Sequence, residues 1–229
     1  MTQLRALVKP ALWVTVFAAV LVWSGVAPLD RFTWFLEVVP ALVGIVILAG
    51  TRTRFPLTPL AYVLVLAHGI ILMVGGHYTY AEVPLFDWIG AAMGWQRNNY
   101  DKLGHLAQGF VPALLAREVL LRLRVVNGRR WCAFLAACVC LAISAAYELV
   151  EWGVAAATGT SAEAFLGTQG YAWDTQSDML YALIGALASL TLLARWHDHQ
   201  IEALATGLPA GPQSAGSARA SRSTRPEHP

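Results

Sequence analysis

The chain has 229 residues, of which 57% are hydrophobic and 13% charged, with a mean hydropathy of +0.53. That balance excludes a solvated globular domain and a disordered chain, both of which carry far more charge. The net charge of +2 says little as a total, but the placement of the charges along the chain says more.

Six apolar runs account for most of the length: 11–28, 34–50, 58–75, 103–122, 131–153 and 174–194. A helix needs about 20 mostly apolar residues to cross the hydrocarbon core, and helical pairing satisfies its backbone there. The sequence therefore predicts an all-α polytopic membrane bundle of about six spans, with an integral membrane domain over residues 1–200. The first run follows Arg5 and Lys9 as a signal peptide would, but no small-residue cleavage pattern precedes Asp30, so it reads as an uncleaved span. The first two spans carry almost no chemistry. Trp13, Trp23 and Trp34 fall toward their ends, where amphipathic aromatics anchor at the interface. The third span ends at Gly75-Gly76 with His77 directly after it. His68, near its middle, reads as a neutral residue bonded to a neighbour.

Residues 77–100 are rich in aromatics and turn formers, with a short helix lying in the interface expected over 86–93. The segment serves either as an ordered functional loop or as an aromatic anchor. Asn99 is the expected cap of the fourth span, and Pro112 a candidate kink. Arg117 and Glu118 read as snorkelling residues at its inner end. Cys132, Cys138 and Cys140 match no metal or redox spacing and read as small packing residues. An outer loop is expected over 154–173, then a sixth span from about Asp174 to about Arg195. His197, Asp198 and His199 follow as a solvated helix end. Residues 206–229, rich in Gly, Pro, Ala and Ser, read as a disordered cytoplasmic tail.

With six spans the loops divide into two sets. Arg5, Lys9, Arg52, Arg54, Arg122, Arg124, Arg129, Arg130 and Arg195 fall on one side, and only Arg31, Arg97 and Lys102 on the other. The positive-inside rule places both termini in the cytoplasm.

The acids run the other way. Asp101 and His105 are four apart, Glu148 and Glu151 three apart, and Asp174 and Asp178 four apart. Each pair shares one helix face, and each lies in the outer third of its span. Ionisable groups this close to hydrocarbon persist where they pair, line a wet cavity or work. If the three faces meet, they form an outward-facing acidic pocket, with His77 beside it and Gln108 continuing the face of His105. Helical pairs facing inward are how bundle metal sites are built. Asp101, His105, Glu148 and Asp178 are candidate ligands for Mg²⁺, Mn²⁺ or Zn²⁺. Glu151 and Asp174 join them as candidate acid–base groups, and Lys102, Arg97, His77 and Gln108 as candidate contacts to an anionic headgroup. Two other readings remain open: a charge network that fixes helix packing, with Lys102 and Arg97 neutralising acids, and a proton or cation path. The soluble-enzyme signatures are absent: no P-loop, no Rossmann glycines, no G-x-S-x-G and no HExxH.

The strings Gly76-His-Tyr-Thr-Tyr80, Asn98-Asn-Tyr-Asp-Lys-Leu-Gly-His-Leu-Ala-Gln-Gly-Phe110, Tyr147-Glu-Leu-Val-Glu-Trp152 and Gly167-Thr-Gln-Gly-Tyr-Ala-Trp-Asp-Thr-Gln-Ser-Asp-Met179 resemble the YjdF-like family of bacterial inner-membrane proteins. The resemblance covers roughly residues 10–195. It implies a multi-pass protein of the cytoplasmic membrane and supplies no reaction. The order Asp101, Lys102, His105, then Glu148, then Asp178 before an apolar span is similar to the VanZ-like membrane family, which is associated with glycopeptide resistance and envelope phenotypes. That family's usual Asn after the last Asp is replaced here by Met179. The expectation is a membrane protein whose outer face binds a divalent metal and acts on, or recognises, an envelope lipid or lipid-linked phosphate. Membrane lipids are the expected partners, and nucleic acid is not.

Overall fold

The computed structural model describes residues 9–158 and 173–206, and the described residues form eight α-helices. They are α1 (Pro10–Gly25), α2 (Arg31–Thr51), α3 (Pro59–His77), α4 (Pro84–Met93), α5 (Tyr100–Arg122), α6 (Arg129–Thr158), α7 (Asp174–Leu192) and α8 (Ala194–Thr206). The six expected spans are all helices, and the expected interfacial helix is α4. The expected tail beyond Thr206 and most of the expected outer loop, with Glu163 and Gln169, lie outside the described residues.

By length and composition three helices suffice to cross a membrane, α2, α3 and α6, or four if α7 and α8 form one span bent by 63°. α1 is apolar but has only 16 residues. α5 has 23 residues, but Asp101, Lys102, His105, Gln108, Arg117 and Glu118 interrupt its apolar run. It is the inner helix of the bundle, packed on α7, α6 and α3.

Local chemistry sets the helix starts. Asp30 caps α2 by accepting from the Thr33 N–H at 2.6 Å, and Thr58 caps α3 by accepting from the Ala61 N–H at 3.3 Å. Pro at the first position of α1, α3 and α4 costs no intrahelical bond. The expected cap of α5 is displaced by one residue: Asn99 makes no side-chain cap bond, and Asn98 Oδ1 accepts from the Tyr100 N–H at 3.0 Å. Asn98 also donates to Val83 O and Asp87 Oδ1, tying α4 to the start of α5.

One apolar core joins α1, α2 and α3 through Trp13, Phe17, Val38, Ala41 and Met73. The pairing of α5 with α7 is much tighter. A Cβ added at Gly109 would lie 1.7 Å from Ala182 O, and one added at Gly185 2.0 Å from Leu106 O. Small residues let two backbones approach this closely where lipid gives no hydrophobic drive. Cys140 lies in the same packed layer, its Sγ 3.3 Å from Gly109 O, as the packing reading of the cysteines expects.

The inner end corrects two sequence readings. Arg117 and Glu118 do not snorkel, and His197 and Asp198 are not a solvated helix end. α7 stops at Leu192, and α8 turns back under α3 and α5. Glu118 is fully buried and accepts from the Thr58 N–H and hydroxyl at 2.9 Å each, from Arg122 at 2.7 Å and from His197 Nε2 at 3.0 Å. Arg117 donates to His197 Nδ1 at 3.0 Å and pairs with Asp198, which also pairs with Arg129. Arg117 can only donate, so His197 accepts at Nδ1 and carries its proton on Nε2. Gln200 accepts from the Leu60 N–H at 2.9 Å and closes the α8–α3 seam.

Candidate functional site

The helical period divides the outer end of α5 into two working faces. Asp101, Gly104, His105, Gln108 and Pro112 look toward α2, α3 and α6, where they line a cavity of about 140 Å³. Asn99, Lys102, Leu103 and Leu106 look toward α4 and α7, where they line a wider groove of about 500 Å³ with Phe86, Trp95 and Tyr181.

Between the two, the three acidic pairs converge as the site reading required. Lys102 Nζ donates to Asp174 Oδ1 at 2.6 Å and Asp178 Oδ1 at 2.5 Å, and lies 3.4 Å from Asp101 Oδ2. Arg97 reaches Asp174 at 3.1 Å and Asp101 at 3.9 Å. His105 Nδ1 meets Gln108 Oε1 at 2.9 Å, while its Nε2 faces Asp101 at 3.3 Å, Glu148 at 3.8 Å and Asp178 at 3.9 Å. If Nδ1 carries the proton for Gln108, Nε2 holds a lone pair toward three carboxylates. That arrangement has two chemical solutions: a second proton on the ring, or a metal ion. Asp101, His105 and Asp178 each place one ligand atom within 4.8 Å of the others.

Glu148 is the exposed fault in this network. It is 7% exposed, and neither carboxylate oxygen accepts a hydrogen bond. The Thr175 side chain on α7 lies beside it. A buried carboxylate without hydrogen bonds is costly unless something else neutralises it.

Sequence reasoning missed two members. Glu37, in the second span that was read as carrying almost no chemistry, is 5% exposed and accepts from the Tyr147 hydroxyl at 2.9 Å across the gap between α2 and α6. A lone glutamate at the fourth position of an apolar run was the available signal. Tyr80 lines the same cavity. Its own φ of +59° and that of Thr79, +55°, lie in the left-handed region that non-glycine residues seldom adopt. The fold holds them there because the Tyr80 ring fills the space left by Gly75 and Gly104, where added Cβ atoms would come within 2.2 and 2.9 Å of it. Glu151, expected in the cluster, also lines this cavity.

His77 stands apart from the group it was expected to join. Its Nδ1 lies 2.9 Å from Ser24 O, and its ring packs 4.7 Å from that of Trp23, so it ties α3 to the end of α1. His68, read as bonded to a neighbour, has a buried Nε2 with no hydrogen-bond partner and lines the smaller cavity.

The sequence profile of the family described as predicted membrane protein (DUF2238) matches residues 9–199. The chain is 53% identical over 182 residues to the inner membrane protein YjdF of Escherichia coli (strain K12), covering 80% of this chain and 87% of that one. No solved structure matches.

Proposed function

The chain belongs to the DUF2238 family of predicted membrane proteins and is a multi-pass inner-membrane protein, and on that premise we propose that its outer-leaflet cluster binds a divalent metal ion and recognises a lipid-linked phosphate. In this reading all six apolar helices cross the bilayer with both termini in the cytoplasm, as the distribution of Lys and Arg favours. The observation that carries the metal reading is the unsatisfied carboxylate of Glu148 beside the Asp101–His105–Asp178 group. Among the described residues, six carboxyl groups (Glu37, Asp101, Glu148, Glu151, Asp174, Asp178) gather around the cluster, and Arg97, Lys102 and the His105 imidazole are the cationic groups in ion-pair distance of them. A further positive charge is what the set lacks.

Imidazole with carboxylates suits Zn²⁺ or Mn²⁺, and carboxylates alone suit Mg²⁺. A metal held there polarises a phosphoryl oxygen when bound. The residues of the chain do the rest. Lys102 and Arg97 sit at the groove side, where an anionic headgroup would arrive, and Gln108 orients the His105 ring. Phe86 and Trp95 give the groove an apolar wall against the lipid's glycerol or isoprenoid end.

A second reading is favoured by one specific contact: Lys102 already bridges Asp174 and Asp178 at 2.6 and 2.5 Å. In that reading the cluster is a packing network that fixes α5 against α7. Metal content of the purified protein separates the two. Stoichiometric metal in the wild type, lost in a folded Glu148→Ala/Asp178→Ala variant, supports the metal site. No metal after loading with Mg²⁺, Mn²⁺ and Zn²⁺ overturns it and leaves the packing network. The network reading also expects Lys102→Met to lose about 3–5 kcal/mol, because it strands two buried carboxylates.

A further inference from the structure

The cavity on the α2/α3/α6 side of α5 is separate from the groove and shares Asp101 and His105 with the metal group. It extends along α5 from Asp101 to Pro112, eleven residues or roughly 16 Å of helix. It therefore runs from the outer end to about the middle of a hydrocarbon core ~30 Å thick. Its walls change character along that path. Most of the wall is carbon, from Pro40, Leu72, Pro112, Ile143 and the tyrosine rings, and Glu37, Asp101 and Glu151 supply its smaller polar part. Ile143 is 40% exposed on the outside of the bundle. α2 and α6 scarcely touch at this level, and the Tyr147–Glu37 hydrogen bond is what spans them. The cavity thus has an edge toward lipid rather than toward water alone.

We propose that this cavity is a binding site for the primary ammonium headgroup of a membrane lipid, admitted from the bilayer between α2 and α6. Three features select that chemistry. Carboxylates line the cavity and, among the described residues, no lysine or arginine does, so an anionic group is repelled there. The buried Nε2 of His68 has no partner; with the proton on Nδ1 it is an acceptor awaiting a donor. An ammonium brings three donors and no acceptor, which suits a wall that holds the carboxylates of Glu37, Asp101 and Glu151 and the open imidazole nitrogen of His68. The volume of about 140 Å³ holds an aminoethyl group, and a trimethylammonium is disfavoured because it has no N–H to donate. The wall that the cavity does not share with the metal group, Glu37, Glu151 and His68, is what carries the proposal.

The test uses the full chain reconstituted in vesicles of equal parts phosphatidylethanolamine, phosphatidylglycerol and phosphatidylcholine, then stripped with detergent and weighed by native mass spectrometry. The expected result is retention of phosphatidylethanolamine over each of the other two by about tenfold or more. Ile143→Trp, at an exposed position outside the polar network, should close the edge and abolish that preference with Tm unchanged. Glu37→Gln should abolish it by removing the charge. Equal retention of the three lipids, preference for phosphatidylglycerol, or a preference untouched by Ile143→Trp overturns the proposal. Metal content of the same samples reports separately on the cluster.

Discussion

At the scale of single residues, two contacts give direct expectations. Asp30 caps α2 through the Thr33 N–H, and that bond holds its carboxyl below the usual value of 3.8. A lowered folded value means stability that is complete above the ordinary range and lost as pH falls through the folded value. Asp30→Ala should cost about 1 kcal/mol at neutral pH and nothing in strong acid. Thermal melts of the two proteins, from neutral to acid, should therefore converge; a constant gap would show that the cap is not the cause. Glu118 is the harsher case. Glu118→Ala leaves His197 Nε2 and Thr58 without their acceptor in a dry site and takes one of two acceptors from Arg122, and should cost about 3–5 kcal/mol. A Glu118/His197 double-mutant cycle should show strong coupling; additive losses would count against the pair. None of this was legible locally. Glu118 and His197 are 79 residues apart, and each, taken alone, looks like a charged residue at the end of a span. Asp30, by contrast, was visible only as a polar residue before an apolar run.

At the scale of elements, the bundle depends on one close pair. Gly109→Ala and Gly185→Ala drive a methyl into the facing backbone, where no side chain can yield, and each should cost ~3 kcal/mol or more. Gly44→Ala meets nothing within 4 Å and should leave Tm unchanged or slightly raised, so melts of the three variants separate backbone contact from a general intolerance of substitution. The helices themselves were legible because apolar runs of spanning length have few alternatives in lipid. The three acidic pairs were legible because three- and four-residue spacing fixes a shared face. The convergence of those faces was not, since it depends on where α7 lies against α5. α8 was missed because its sequence is mixed rather than apolar, and its buried face is set by the partners Arg117, Glu118 and Leu60. Glu37 was passed over for the opposite reason: the run around it is apolar enough to hide one acid.

At the scale of the whole molecule, the proposed six crossings make a sided prediction. A fluorescent protein fused after Thr206 should fluoresce, as it folds in the cytoplasm, and alkaline phosphatase fused after Met93 should be active in the periplasm. The reverse pattern would turn the cluster to face the cell interior and remove the envelope lipid from the proposed function. The close α5–α7 pair also has a consequence in time. Lys102 and Asp174 are separated by 72 residues, so at about 5–20 residues per second α5 leaves the ribosome roughly 4–14 s before its partner charges exist. During that interval Asp101, Lys102 and His105 have no α7 to neutralise them, in a helix too polar to settle in lipid alone. The insertion machinery must then either keep α5 sheltered or let it wait at the surface. The glycines that later permit contact between the two backbones act as the latch that ends this delay, so variants at Gly109 and Gly185 should show their defect first as degradation of newly made chains, before any loss seen in the finished protein.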